Sequence, residues 1–152
     1  MSDQFGGSGI RKDLFDYVVE NFKPGSTIVE LGAGYVSTKF LGEIYNLYSI
    51  EDKKEYLGIY NSNYIHAPLE NGWYSPAAIA KGLAGVNADL TIVDGPTGEG
   101  NRHGFSKHIH LFKSANPIIV DDIHRQGEIE LAEEISRLTK RDIRYFDSFC
   151  VI

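Results

Sequence analysis

Five acidic residues stand where chemistry can be done. Glu30, Glu51, Asp94 and the pair Asp121-Asp122 each lie in or just after a short apolar run. Two glycines one residue apart, Gly32 and Gly34, follow Glu30, and the hydroxyls of Ser37 and Thr38 come next. Glycines in such a turn let the backbone bend sharply and let a ligand come close. A carboxylate about twenty residues further on, at the end of the next strand, can accept hydrogen bonds from both hydroxyls of a ribose. Carboxylates brought together at one edge repel, and must take up a proton or a counter-cation. Oxygen donors of this kind suit a hard divalent cation such as Mg²⁺.

These residues are useful only if the fold gathers them. Helical periodicity covers 10–22 and Pro24-Gly25 ends it. Strands are expected at 27–31, 47–50, 63–67, 89–93 and 117–120, with helices over 37–45, 53–60, 76–83, 105–114 and 126–138 between and after them. The segment 69–75, carrying Trp73 and Tyr74, and the Gly/Pro-rich 95–104 read as loops. The runs 142–146 and 149–152 read as an antiparallel pair. This alternation predicts an α/β, Rossmann-like doubly wound fold. Its sheet is mostly parallel with an antiparallel C-terminal edge pair, and helices cover both faces. Ligands of such sheets bind at the carboxyl ends of the strands. Every acid named above falls at or near such an end.

The chain has 152 residues and a formal net charge of −6, with no basic block. One domain is expected, with 1–9 as a glycine-rich lead. The charge argues against nucleic acid or an anionic membrane as partner, and is compatible with a bound cation. The lone Cys150 and the lack of an apolar leader point to a cytoplasmic address.

The glycine turn begins like a dinucleotide fingerprint, but Ser37 stands where its third glycine would be. Glu30 before the turn makes the site acidic. That favours a ligand of positive character, S-adenosylmethionine, over a pyrophosphate. The plain alternative is that the glycines only shape a turn and Glu51-Asp52 caps the next helix.

Together these residues resemble the class I S-adenosylmethionine-dependent methyltransferases, over nearly the whole chain. Val29-Glu30-Leu31-Gly32-Ala33-Gly34 is similar to that family's first motif, and Leu47-Tyr48-Ser49-Ile50-Glu51 to the strand bearing its ribose-binding acid. The resemblance implies that Glu30, Gly32, Ala33 and Gly34, with Ser37 and Thr38, hold the methionine end, and that Glu51 and Asp52 hold the ribose. Ala67 and Pro68 would lie near the adenine, and Asp94 and Gly95 would close the cofactor site. Asp94, Asp121 and Asp122 resemble the metal ligands of catechol-type and sugar O-methyltransferases. Thr97 departs from the catechol pattern, which has a lysine base there. The bland reading of the same aspartates is turn capping.

His103 and His124 flank the expected rim. Each is either a general base, beside Asp94, or a solvated surface group. Arg102 and Arg125 either bind an anionic substrate or neutralise the aspartates. Trp73 and Tyr74 either stack on a ring or anchor their loop. The expectation is methyl transfer to an oxygen of a small molecule or sugar, with or without a divalent metal, in a chain compatible with a homodimer. The alternatives are a methyltransferase-like binding module without turnover and an NAD-dependent oxidoreductase.

Overall fold

The computed structural model describes residues 10–97, 101–112 and 116–152. The expected glycine-rich lead, the middle of the 95–104 loop and the end of the expected 105–114 helix lie outside them.

A seven-stranded sheet organises the chain. Its strands are β1 (Thr27–Leu31), β2 (Asn46–Glu51), β3 (Asn63–His66), β6 (Leu90–Val93), β7 (Ile118–Asp121), β8 (Arg144–Tyr145) and β9 (Phe149–Val151). The spatial order is β3-β2-β1-β6-β7-β9-β8. The first five are parallel, and β9 runs antiparallel to both β7 and β8. The chain therefore works outward from β1 to β3, returns to β6 beside β1, and works outward the other way. The reversal between β1 and β6 is the position at which doubly wound sheets open a crevice.

Alternation along β1 sorts its side chains between two cores. Val29 and Leu31 point into one, with Ile50, Val120 and the helix residues Ile79, Leu131 and Ile135. Ile28 points into the other, with Leu14, Val18, Leu41, Leu47 and Ile119. The helices α1 (Lys12–Asn21) and α2 (Ser37–Ile44) thus cover one face, and α3 (Pro76–Gly82) and α5 (Gln126–Thr139) the other. Ser75 caps α3 through its hydroxyl, which accepts the Ala78 N–H, and Pro76 opens the helix.

Three expectations need correction. The helix expected over 53–60 is only a 3-10 turn, Lys54–Tyr56. Gly58 then takes φ +72°, and Asn61 docks on the neighbouring helix by donating its side-chain amide to the Gly42 carbonyl at 3.0 Å. The 69–75 loop contains a small hairpin, β4 (Leu69–Glu70) and β5 (Trp73–Tyr74), turned by Asn71-Gly72, both at positive φ. The region after the second loop forms a one-turn helix, α4 (Gly104–Lys107), and a 3-10 turn, Ile109–Phe112, in place of one longer helix.

No helix of the described residues is long and apolar enough to cross a membrane.

Candidate active site

Backbone hydrogen bonds tie the end of β1 to both its neighbours, β2 and β6. Gly32 N–H donates to the Ile50 carbonyl at 2.8 Å, and Asp94 N–H to the Leu31 carbonyl at 3.0 Å. Gly32 has φ +97°, and a Cβ on it would lie 2.7 Å from the Asp94 carbonyl oxygen. No other residue fits that turn without displacing β6. Gly34 is different. Its φ is ordinary and a Cβ would meet nothing within 4 Å. The fold does not require that glycine, and its open side faces a cavity.

The cavity has a volume of about 380 Å³ and spans the carboxyl ends of β1, β2, β6 and β7. Gly32, Ala33, Gly34 and Ser37 form one wall, Glu51 and Asp52 an end, and Asp94, Asp121 and Asp122 the opposite side. Residues up to ninety positions apart in sequence meet there because the parallel register brings their strand ends level.

Glu51 is buried and divides its carboxylate between two backbone donors, the Ala33 N–H at 3.0 Å and the Lys53 N–H at 2.8 Å. Burial nevertheless outweighs those bonds and pushes its pKa up to about 7. Glu51 thus fixes the glycine turn as well as lining the cavity.

Glu30 lies elsewhere than its motif implies. It shares the α2 side of β1 with Ile28, so its side chain runs behind the turn and does not line the cavity. It accepts from Ser37 Oγ at 2.7 Å, from Thr38 Oγ1, and from Ser49 Oγ at 2.6 Å; Ser49 is its register partner on β2. Thr38 Oγ1 in turn accepts the Gly34 N–H at 3.0 Å. The two α2 hydroxyls are therefore not caps: the helix begins after Val36 with no side-chain cap, and Thr38 sits behind the turn. Burial raises the Glu30 pKa against the pull of the three hydroxyls.

The aspartates converge as the strand pairing requires. Asp94, Asp121 and Asp122 each offer an oxygen, all within 4.8 Å of one another. Burial, then the Asp121 charge, pushes the Asp94 carboxyl well up, and burial pushes Asp121 up to about 6. Asp122 takes φ +61°, a left-handed conformation that turns the chain from β7 toward α5. Arg102 penetrates this cluster with a side chain only 7% exposed. Its guanidinium lies 3.0 Å from Asp122, 3.4 Å from Asp94 and 3.6 Å from Glu128, and it donates to the Asp94 carbonyl at 3.2 Å. Of the two readings of this arginine, the contacts fit neutralisation of the aspartates.

Other expected site residues lie off the cavity wall. Ala67 is buried and gives its N–H to the Glu51 carbonyl at 2.9 Å; Pro68 is exposed. Gly95 is packed between Gly32 and Tyr74. His103 is half-buried at the start of α4, and His124 is exposed. Neither histidine lines the cavity.

Sequence reading missed Tyr35 and Tyr56, which meet edge-to-face at 5.5 Å and form an aromatic lip beside Gly34. Only their types signalled this, since Tyr35 sits in the turn before α2 and Tyr56 in the 3-10 turn after β2, far apart in sequence. Tyr74, fully buried, lines the cavity, and its hydroxyl has no hydrogen-bond partner among the described residues. Its aromatic type and flanking turn pointed to an anchor, and nothing in the spacing marked an unsatisfied hydroxyl.

No protein-family model and no curated protein matches the sequence. Solved structures do match the fold. MycE, a methyltransferase of the mycinamycin biosynthetic pathway solved with Mg, S-adenosylhomocysteine and mycinamycin VI, superposes with a TM-score of 0.60 at 10% identity. The match covers 91% of this chain but 44% of MycE, so the chain spans less than half that enzyme's length. A precorrin 8w decarboxylase of Methanobacterium thermoautotrophicum gives a TM-score of 0.60 at 17% identity, covering 99% of this chain and 91% of that one. A TehB-like S-adenosylmethionine-dependent methyltransferase of Corynebacterium glutamicum gives 0.51 at 12% identity, covering 91% and 83%. The chain has the class I S-adenosylmethionine-dependent methyltransferase fold.

Proposed function

We propose that this chain is an S-adenosylmethionine-dependent methyltransferase acting on an oxygen of a small molecule or sugar. One observation carries the reading. A single cavity joins an open-faced glycine turn and a buried carboxylate to three converging aspartates on the neighbouring strands. The fold it shares with methyltransferases, one of them solved with Mg and S-adenosylhomocysteine, supports the same reading.

The residues present fit such a ligand. Gly34 leaves room that no side chain of the described residues fills, and the Tyr74 hydroxyl lacks a hydrogen-bond partner among them. Gly32, Ala33 and Gly34 would hold the methionine end, and Glu51 with Asp52 the ribose. Asp94, Asp121 and Asp122 supply an oxygen donor set suited to a divalent cation, although Arg102 already engages two of them. When bound, S-adenosylmethionine supplies a methyl group activated by its sulfonium, and a divalent cation supplies Lewis acidity toward an acceptor oxygen.

The protein's own part is positional and acid–base. Walls on both sides of the cavity hold two reactants in line, which lowers the entropic part of the barrier. Asp121, pushed up to about 6, is mainly ionised above neutrality and has no salt bridge to Arg102. It is the carboxylate best able to take the proton of an acceptor hydroxyl or to bind the cation. Arg102 keeps the adjoining negative charge from expelling an acceptor.

Calorimetric titration with S-adenosylhomocysteine, with NAD as comparator, tests the cofactor. Binding of the first and not the second is expected; the reverse overturns the proposal. A rise in melting temperature with Mg²⁺ that Asp121→Asn abolishes is expected if the metal takes part. Methyl transfer to a panel of sugar and phenolic hydroxyls tests the acceptor class.

A further inference from the structure

The Tyr74 hydroxyl is the most conspicuous unsatisfied group in the described structure. Tyr74 is fully buried, lines the cavity, and its Oη has no hydrogen-bond partner among the described residues. A buried hydroxyl without a partner is costly, and a phenylalanine would fill the same space without the penalty.

The surrounding fold makes room for this oxygen. A Cβ on Gly95 would overlap Tyr74 Oη, and would lie 3.0 Å from the Gly32 α-carbon on its other side. Gly95 therefore lets the hydroxyl reach the junction between the glycine turn and the end of β6. Space has been cleared for an oxygen that no described residue engages.

The position is also electrostatically specific. Glu51, Asp52 and Asp94 act on the hydroxyl as negative charges and Arg102 as a positive one. Burial and those carboxylates hold the phenol protonated, so Oη can both donate and accept. It lies between the carboxylate assigned to the ribose and the carboxylates assigned to the reacting end.

We infer that Tyr74 is a ligand-contacting residue whose hydroxyl forms a hydrogen bond with the adenosyl ligand where that ligand crosses the Gly32–Gly95 junction. The inference rests on the adenosyl reading of the cavity and adds to it a contact from β5, a hairpin outside the main sheet. The hairpin thereby serves as a cofactor wall.

The test is calorimetric titration of S-adenosylhomocysteine into the wild-type protein and Tyr74→Phe, with thermal unfolding of both ligand-free proteins. The wild type should bind, and Tyr74→Phe should bind about tenfold more weakly, the factor expected of one neutral hydrogen bond. The ligand-free variant should melt at the wild-type temperature or above it, because it loses an unsatisfied group. Equal affinity in the two proteins overturns the inference while leaving the adenosyl reading intact. A lower melting temperature in Tyr74→Phe overturns it as well, since the hydroxyl would then have a partner within the protein. Failure of the wild type to bind removes the adenosyl reading and this inference with it.

Discussion

Arg102 lies 3.0 Å from Asp122 and 3.4 Å from Asp94, and so ties the chain leaving β7 to the end of β6. The pairing joins two strand ends that their own charges would push apart. Because the guanidinium is almost wholly buried, its loss leaves carboxylates without compensation. Arg102→Gln is expected to cost about 3 kcal/mol in urea unfolding, the range for breaking one partner of a buried ion pair. It should also move the Asp94 and Asp121 carboxyls further up, since Arg102 is a lowering influence on both. Carbonyl-region infrared or ¹³C NMR titration of those carboxyls reads the second effect.

The two glycines of the turn should respond in opposite ways. Gly32→Ala meets both a positive φ and the Asp94 carbonyl, and is expected to destabilise by about 2 kcal/mol or more. Gly34→Ala meets open space and should unfold within about 0.5 kcal/mol of wild type, as at an unconstrained surface position. It should nevertheless weaken S-adenosylhomocysteine binding, because its methyl group occupies the ligand's approach. Denaturation and calorimetry on both variants separate a glycine kept for the backbone from one kept for the ligand.

Glu51 sets a pH dependence whose sign follows from burial. Its folded pKa, about 7, lies above its ordinary value of 4.5. The folded state therefore binds more protons than the unfolded state between those values, and its contribution to stability falls as pH rises from 4.5 to 7, then levels. Glu51→Gln should flatten that slope in unfolding titrations. Ligand affinity should run the other way: the ionised carboxylate is the better acceptor for ribose hydroxyls, so binding should strengthen as pH rises through about 7 in wild type and not in Glu51→Gln.

Glu30 is expected to act through structure. Glu30→Gln replaces one acceptor oxygen by an amide donor facing hydroxyls already placed to donate, at a cost of about 1–3 kcal/mol. Thr38→Val keeps the carboxylate but removes the acceptor of the Gly34 N–H. It should lower ligand affinity with a smaller loss of stability. Equal losses of stability in the two variants would count against this division of labour.

Much of this arrangement was legible from residue order, and the failures have physical causes. The parallel strands and their acidic ends could be read because apolar runs bounded by glycine, proline or acid leave few other structures. The family motif assigned Glu30 to the ligand; the structure shows it on the Ile28 side of β1, held by Ser37 and Ser49 behind the turn. Arg102 was visible as a rim residue, but no local pattern fixes which of several carboxylates a long side chain eight residues away will reach. Tyr74 needed tertiary contacts, since its unsatisfied hydroxyl depends on what surrounds it. The segment after β2 had helical composition, and docking of Asn61 on Gly42 overrode it.

The contact between Gly95 and Tyr74 also restricts the paths by which this protein can change. Any side chain at Gly95 needs the volume that Tyr74 Oη holds, whereas Tyr74 can lose its oxygen while Gly95 stays as it is. Substitutions at the two positions are therefore ordered: the tyrosine must be trimmed before the glycine can grow. A lineage that first acquired alanine at 95 would pass through a poorly folded intermediate. One that first acquired phenylalanine at 74 would keep its fold and lose grip on its ligand.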